Sequence, residues 1–489
     1  MRDYTDHALD TARALGASYA DVRVSEKRNQ HISVKNGLVE AVAESTSAGF
    51  GVRLLVNGGW GFSSSYLLTF GEIDRVVDQA VQIAKASALV RSPKSDGSHL
   101  GPAVTSVGSY TTPYEIDPFT VPLGDKVELL LEADRHMRAV QGIAITSGTM
   151  HFQREHKYFA NSEGAFIEQL LVESGSGISA MASAQGEFQR RSYPNSFGGQ
   201  YVTGGYEHIR TLDLVGNAER VASEAVALLS APPCPGGTFD LIIGGSQVAL
   251  QVHESCGHPI ELDRVFGTEA AYAGTSFLTP EKLYNFQYGS EIVNIVADAT
   301  TPTGLGTFGF DDEGIPAQRT DIVRDGQFVG YLTNREEAQR LHRIIPDAPE
   351  ISNGTMRADG WNRLPLIRMT NINLLPGSWT VDNLIAATEN GLYLDINRSW
   401  SIDDRRLNFQ FGCEVAYEIR GGKLGRMLRD PIYTGITPEF WRSCDAICDE
   451  SDWVLWGLPN CGKGQPSQLS HVGHGASTAR FRNVRVLGS

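Results

Sequence analysis

The sequence predicts an α+β fold in two parts, an N-terminal domain over residues 1–231 and a C-terminal domain over residues 236–489. Patterns typical of helices alternate with antiparallel strands and tight turns in the first part, whereas strands dominate the second. Between them lies APPCPGG at residues 231–237, whose prolines and glycines fit neither a helix nor the interior of a sheet. A length of 489 residues also exceeds what one hydrophobic core usually supports.

The N-terminal domain is predicted to combine helices with antiparallel strands. Helices are predicted at residues 1–16, 71–89, 124–140 and 212–231. The strands between them turn at Asn36-Gly37 and at residues 57–59, where Asn-Gly sequences favour tight hairpins. Helix, strands and helix occur in the same order twice, which is consistent with a duplicated half-domain.

The C-terminal domain is predicted to be a large mixed β-sheet with few helices. A short buried strand at residues 238–243 turns into a helix for which Ser246 is available as N-cap. An Asp-Gly hairpin follows at residues 320–332. Further strands are predicted at 366–375 and 407–424, and a late helix at 437–450.

Composition excludes several classes of protein. A formal net charge of −15 argues against a nucleic-acid-binding surface, which would concentrate Lys and Arg. No apolar run approaches the roughly 18 residues that span a bilayer, and the N-terminus lacks the apolar core of a secretory signal. We therefore expect a cytoplasmic protein with neither nucleic acid nor membrane as partner. Six cysteines are too few for a disulfide framework in 489 residues, which leaves free thiols or metal ligands.

The stretch QVHESCGHPIELD, residues 251–263, places His253, Glu254 and His258 within six positions. Five residues of regular α-helix rotate a side chain by about 500°, so the two histidines would point about 140° apart. For both to reach one metal ion, the helix must change before His258. Either Gly257 takes a left-handed conformation ahead of Pro259, or the helix widens locally into a turn of the kind often found at functional sites.

Two histidines leave a zinc ion short of the usual three protein ligands. The candidates for the third are Cys461, the Cys444/Cys448 pair, His471 and His474. Cys461 is favoured, because neighbouring glycines allow close backbone approach and Lys463 would stabilise a thiolate. The Cys444/Cys448 pair falls on the predicted late helix beside two aromatic residues, which favours packing in the core.

Two other polar stretches also bear on function. The acidic run Asp311–Glu313 has a spacing unlike a calcium-binding loop, so a solvated turn is predicted. Arg368 and Asn371, on a predicted strand, are weaker candidates for positioning a substrate.

Four segments together resemble the TldD/PmbA family of metallopeptidases, and specifically its TldD type. They are GFGVRLLVNGGWGFSSS, HESCGH, FGFDDEGIPAQ followed by RMTNINLLPG, and NCGKGQ, in the family's order. The resemblance implies that His253, His258 and Cys461 bind Zn²⁺ and that Glu254 is the general base. It also implies a large mixed sheet, a dimer and an enclosed cavity that admits unstructured peptides. The segment YLDINRSWSIDDRRLNFQFG departs from the expected glycine-rich pattern, which bears on substrate selection.

We therefore expect a zinc-dependent peptidase that hydrolyses unstructured peptides or unfolded protein segments, with Glu254 activating a zinc-bound water. It would assemble as a homodimer or as a heterodimer with a TldE/PmbA-type relative. Two alternatives stay open. One is a non-catalytic binding or regulatory subunit with a structural zinc site. The other is a cysteine peptidase in which Cys461 is the nucleophile and His471 or His474 the base.

Overall fold

The computed structural model describes residues 1–90 and 100–488. Its N-terminal part is built around an eight-stranded sheet in which β1 pairs with both β2 and β5. The strands are β1 (Tyr19–Lys35), β2 (Leu38–Val56), β3 (Gly59–Ser65), β4 (Val107–Thr111), β5 (Ile143–Asn161), β6 (Phe166–Ala184), β7 (Glu187–Tyr193) and β8 (Gln200–Thr203). The helices are α1 (Arg2–Ala14), α2 (Phe70–Leu89), α3 (Leu123–Ala139), α4 (Glu207–Thr211) and α5 (Leu214–Ser230).

A helix, a three-stranded antiparallel meander and a closing helix occur twice in this part. The first unit runs from α1 through β1, β2 and β3 to α2, and the second from α3 through β5, β6 and β7 to α5. Each unit has its own apolar core between its helices and one half of the sheet. The two halves join where β1 pairs antiparallel with β5. This order matches the duplication that the sequence suggested.

The C-terminal part is dominated by strands, and its largest sheet, of seven strands, is mixed, as predicted. Its strands are β9 (Gly237–Ile243), β10 (Ile295–Asp298), β11 (Arg319–Arg324), β12 (Gln327–Phe328), β13 (Met356–Arg357), β14 (Leu366–Ile367), β15 (Ile372–Leu374), β16 (Asn390–Ile402), β17 (Asn408–Arg420), β18 (Lys423–Leu428), β19 (Ile432–Ile436), β20 (Cys444–Ile447), β21 (Val454–Lys463), β22 (Gln468–Ala476) and β23 (Ala479–Leu487). The helices are α6 (Gly245–Val252), a π-helical turn (His253–Gly257), α7 (Leu262–Val265), a 3₁₀ turn (Pro280–Lys282), α8 (Arg335–Ile344), α9 (Val381–Ala386) and α10 (Thr437–Arg442). We propose that the chain divides into its two domains between residues 231 and 236.

Five strands of the largest C-terminal sheet close into a ring. Strand β16 pairs with β9 on one side and with β17 on the other, and β23 and β19 complete the circle. Helix α6 leaves the end of β9 and is buried at every position from Ser246 to Val252. The Tyr433 hydroxyl ties it to the sheet, because it accepts from Gln247 (2.9 Å) and donates to Gln251 (3.0 Å). The helix therefore delivers its C-terminal end to a fixed place.

Two predicted helix boundaries in this part are wrong. Helix α6 begins after Gly244, which occupies the N-cap position in an extended conformation, so Ser246 does not cap it. The late helix α10 ends at Arg442, and Cys444 begins strand β20 instead. The strand forms because this segment pairs with β23 at the edge of the closed sheet. The predicted burial of Cys444 and Cys448 is confirmed.

The acidic run Asp311–Glu313 is buried, so its prediction as a solvated turn is wrong. Asp312 accepts from the Lys157 ammonium at 2.8 Å, and Glu313 lies 3.4 Å from the Arg53 guanidinium. Both cations come from the N-terminal sheet. Counter-charges supplied by that sheet make burial of the acids tolerable, and the run therefore joins the two parts of the molecule.

Two further features of the fold concern the cysteines and the helices. All six cysteines lie within the described ranges and are buried and unpaired. No helix in those same ranges combines the length and the apolar character that crossing a bilayer requires.

Candidate metal centre

A π-helical turn at the end of α6 brings the two predicted histidines together. The His258 amide donates to the His253 carbonyl at 3.1 Å, which is the bond between residues five apart that defines this wider turn. The two imidazole centroids lie only 4.8 Å apart as a result. The predicted widened turn is thus confirmed, whereas the left-handed alternative at Gly257 is wrong, since that glycine has no positive φ.

Strand β21 supplies the third side chain. The Cys461 sulfur lies 3.9 Å from His258 Nε2. One ligand atom from each of His253, His258 and Cys461 lies within 4.8 Å of the other two, and all three side chains are buried. The structure therefore brings together the three residues predicted from the sequence, as two nitrogen donors and one sulfur donor.

Hydrogen bonds from the far side of each ring fix which nitrogen faces the cluster. His474 Nδ1–H donates to the Ile372 carbonyl (3.2 Å), so its Nε2 accepts from His253 Nδ1–H (2.8 Å). His258 Nδ1–H donates to the Glu261 carboxylate (3.0 Å). Both metal-facing imidazoles therefore keep Nε2 free of a proton, which is the form that binds metals.

Burial and nearby charge set the protonation of the three donors. Burial lowers the pKa of His253 and lowers that of His258 well below its usual value, which keeps both rings neutral. Burial raises the pKa of the Cys461 thiol, but Arg368 and His258 outweigh that effect, so the pKa lies below its usual value. Arg368 also donates to the Cys461 carbonyl at 2.5 Å. This contact supports the strand that carries Cys461, and the role of Arg368 in positioning a substrate stays a prediction.

Lys463 was predicted to stabilise the Cys461 thiolate, but its ammonium lies among three carboxylates. It is 2.7 Å from Asp263, 3.4 Å from Glu261 and 3.3 Å from Glu269. Burial lowers the pKa of this amine, yet the three acids together raise it above its usual value. The cation therefore acts on the centre indirectly, by supporting the carboxylate of Glu261 that holds His258.

Glu254, the predicted base, forms an ion pair that the sequence did not reveal. Its Oε2 accepts from Arg406 Nη1 at 2.6 Å. Arg406 lies in the turn between β16 and β17, 152 positions further along the chain. No local pattern marks this arginine, although it falls in the segment that departs from the expected glycine-rich composition.

The remaining candidates lie outside the cluster. His471 Nδ1 pairs with the Glu173 carboxylate at 2.5 Å, on the N-terminal sheet. His474 lies behind His253 and orients it. Asn371 is fully buried and donates to the Asp298 carbonyl and the Thr307 hydroxyl, so it supports the local backbone; its role in positioning substrate stays a prediction.

The Gly257→Ala variant is expected to lose about 1–3 kcal/mol of unfolding free energy, the usual cost of added bulk in a packed interior. A Cβ at Gly257 would lie 2.3 Å from Met369 Sδ, and Met369 is itself buried. Urea unfolding measures the loss. Gly462→Ala is the matched control, because a Cβ there meets nothing within 4 Å. Equal stability of the two variants would contradict the steric constraint on the π-turn.

Comparison with family models covers most of the chain. Three models of the PmbA/TldA metallopeptidase family match it, domain 1 at residues 20–84, the central domain at 116–229 and the C-terminal domain at 236–488. Among curated relatives, a metalloprotease of Methanothermobacter thermautotrophicus is 30% identical over 96% of this chain and 96% of its own length. A metalloprotease of Methanocaldococcus jannaschii is 28% identical over 94% and 95%. A metalloprotease TldD homolog of Haemophilus influenzae is 24% identical over 96% and 93%.

Solved structures share the fold at low sequence identity. A proposed modulator of DNA gyrase from Thermotoga maritima superposes with a TM-score of 0.75 at 16% identity, covering 99% of this chain and all of that one. TldE from Thermococcus kodakarensis superposes with a TM-score of 0.72 at 15% identity, covering 99% of each chain. These structures establish the fold over the whole length of the chain.

Proposed function

Since the chain belongs to the PmbA/TldA metallopeptidase family, that is, the TldD/PmbA family, we propose that it is a zinc-dependent peptidase. Its substrates are unstructured peptides or unfolded protein segments. The observation that supports this most is the approach of His253, His258 and Cys461 to within 4.8 Å of one another, next to Glu254. The curated relatives are named metalloproteases, which agrees with a hydrolytic role.

The donor set fits zinc. Two neutral imidazoles and a thiolate are ligands that zinc prefers, and three protein ligands are the number typical of catalytic rather than structural zinc sites. His474 and Glu261 occupy the opposite ring nitrogens, as expected around metal-binding histidines. Zinc bound there would act as a Lewis acid, polarising a peptide carbonyl and lowering the pKa of a water towards about 7.

Glu254 is the general base in this proposal. It follows His253 on the same π-turn, and its side chain is 7% exposed, so the carboxylate lies in a largely buried place beside the cluster. The carboxylate takes a proton from the attacking water and then gives it to the nitrogen of the leaving amine. With the Lewis acidity that bound zinc would supply, this protonatable carboxylate would account for cleavage of an otherwise stable amide.

Partners and location follow as part of the same proposal. A structural neighbour named TldE points to a homodimer or a pairing with a TldE/PmbA-type relative. A net charge of −15 fits a cytoplasmic protein that contacts neither nucleic acid nor membrane. Extended peptides would enter between the loops that border the centre.

The geometry favours the metallopeptidase over the cysteine peptidase. Neither imidazole predicted as a base for Cys461 is paired with its sulfur, since His474 bonds His253 and His471 bonds Glu173. The imidazole nearest the sulfur is His258, whose Nε2 lies 3.9 Å away and belongs to the cluster.

Zinc analysis with a peptidase assay tests the proposal. Purified protein is expected to hold about one zinc per chain, and chelation should abolish cleavage of an unstructured peptide while circular dichroism stays unchanged. Cys461→Ser should lose both zinc and turnover, whereas Cys448→Ser, a buried thiol outside the cluster, should keep both. Zinc-loaded protein that cleaves nothing, alone or with a TldE-type relative, would favour the regulatory alternative.

A further inference from the structure

The ion pair with Glu254 does not by itself explain where the Arg406 side chain lies. Its Nη1 donates to Glu254 at 2.6 Å, while its buried Nε has no hydrogen-bond partner among the described residues. The side chain is 15% exposed, so solvent reaches part of it. A guanidinium has five donors, and part of this one remains available for a ligand beside the proposed base.

The turn that carries Arg406 is fixed by its backbone. The residue has a positive φ of 63°, which places its side chain across the turn. Its carbonyl accepts from the Thr437 hydroxyl at 2.9 Å. The two preceding carbonyls, of Asp404 and Arg405, accept from the amides of Thr275 and Phe277, each at 2.9 Å. The backbone that carries Arg406 is therefore fixed, and the ion pair with Glu254 orients its guanidinium.

Hydrolysis of a peptide bond needs a hydrogen-bond donor beside the carbonyl oxygen, and Arg406 can reach that position. As water adds, its oxygen bonds the carbonyl carbon, the carbonyl π electrons move onto the oxygen, and the proton passes to Glu254. The attacking and carbonyl oxygens then share one carbon atom. A donor in contact with the base is consequently within reach of the new oxyanion, where a fixed positive charge is most effective.

We propose that Arg406 is a catalytic residue that donates a hydrogen bond to the oxyanion formed from the scissile carbonyl. This inference rests on the proposed peptidase function and adds the donor that the motif itself does not supply. In the resting protein the guanidinium pairs with Glu254, and on substrate binding its free donor meets the carbonyl oxygen. When the carbonyl re-forms, the carbon–nitrogen bond breaks and Glu254 returns its proton to the leaving nitrogen.

The test compares Arg406→Met and Arg406→Lys with Arg405→Met, which removes the charge of the neighbouring exposed arginine. Each full-length zinc-loaded protein is assayed with one peptide bearing either a free or an amidated C-terminus, and is titrated with a phosphinic peptide that mimics the tetrahedral species. For Arg406→Met we expect zinc to be retained, KM to change little and kcat to fall about 100- to 1,000-fold. Affinity for the phosphinic peptide should fall by the same factor. Arg406→Lys should recover part of both, and Arg405→Met should behave as wild type.

Other results would overturn the assignment. A raised KM with unchanged kcat would mean that Arg406 binds substrate and transition state equally. An effect confined to the peptide with a free C-terminus would show that Arg406 binds a terminal carboxylate instead. Loss of zinc from Arg406→Met would show a structural role. If the wild-type protein neither cleaves the peptide nor binds the phosphinic compound, the peptidase proposal itself fails, and that result precedes any comparison of variants.

Discussion

Replacing Glu254 with glutamine is expected to leave zinc bound and to lower kcat for an unstructured peptide by about 100- to 10,000-fold, the usual contribution of a positioned general base. The amide keeps an oxygen that can accept from Arg406, which now bonds Glu254 at 2.6 Å, so the local packing should survive. What is lost is the ability to take a proton from water. Steady-state kinetics combined with metal analysis separates the two effects.

The control for this variant is Glu281→Gln, on the exposed 3₁₀ turn Pro280–Lys282. It removes the same charge by the same chemistry at a distance from the cluster, and wild-type kinetics are expected. Retained turnover in Glu254→Gln would rule out Glu254 as the base. Loss of zinc together with turnover would instead assign Glu254 to holding the metal site.

Replacing Lys463 with methionine is expected to give the largest loss of stability, about 3–5 kcal/mol of unfolding free energy, the usual cost of removing one partner from a buried ion pair. Three carboxylates, those of Glu261, Asp263 and Glu269, surround its ammonium within 3.4 Å. Without it, Glu261 and Glu269 keep the guanidinium of Arg264, whereas Asp263 keeps the Arg264 backbone amide. Urea unfolding measures the loss.

Lys423→Met is the matched control, because Lys423 is exposed on β18. Its unfolding free energy should stay within about 0.5 kcal/mol of wild type, as is usual for surface positions. Zinc affinity should also fall in Lys463→Met, since Glu261 orients His258 and such outer contacts usually contribute about 10- to 100-fold. A loss of stability no larger than the control's would mean that the carboxylates are neutralised in another way.

Local patterns were sufficient for the main elements and for the cluster. The five-residue spacing of His253 and His258 required a break in the helix, and the break is present as a π-turn. Spacing could not choose between a widened turn and a left-handed Gly257, because both bring the rings together. In the folded chain Gly257 packs closely against Met369, which lies between β14 and β15, a contact that local spacing does not reveal.

Local sequence patterns could not predict the ion pairs between residues that are far apart in the chain. The sequence next to Asp311–Glu313 offers no cation for each acid, so the run resembles a solvated turn. The cations that pair with Asp312 and Glu313 are Lys157 and Arg53, and both come from the N-terminal sheet. The same reason concealed Arg406 and the true partners of Lys463. Which charges meet is decided by tertiary contacts between distant segments, and only a folded chain shows them.

Helix α6 is buried along its length between strand β16 of the ring and strands β15, β21 and β22, and it ends in the turn that holds His253 and Glu254. The surrounding turns at residues 266–274 and 403–406 lie nearer the surface. The buried helix and these surface turns are therefore separate structural elements. Substitutions in those surface turns can therefore alter the approach to the cluster of His253, His258 and Cys461, while the buried side chains themselves stay in place.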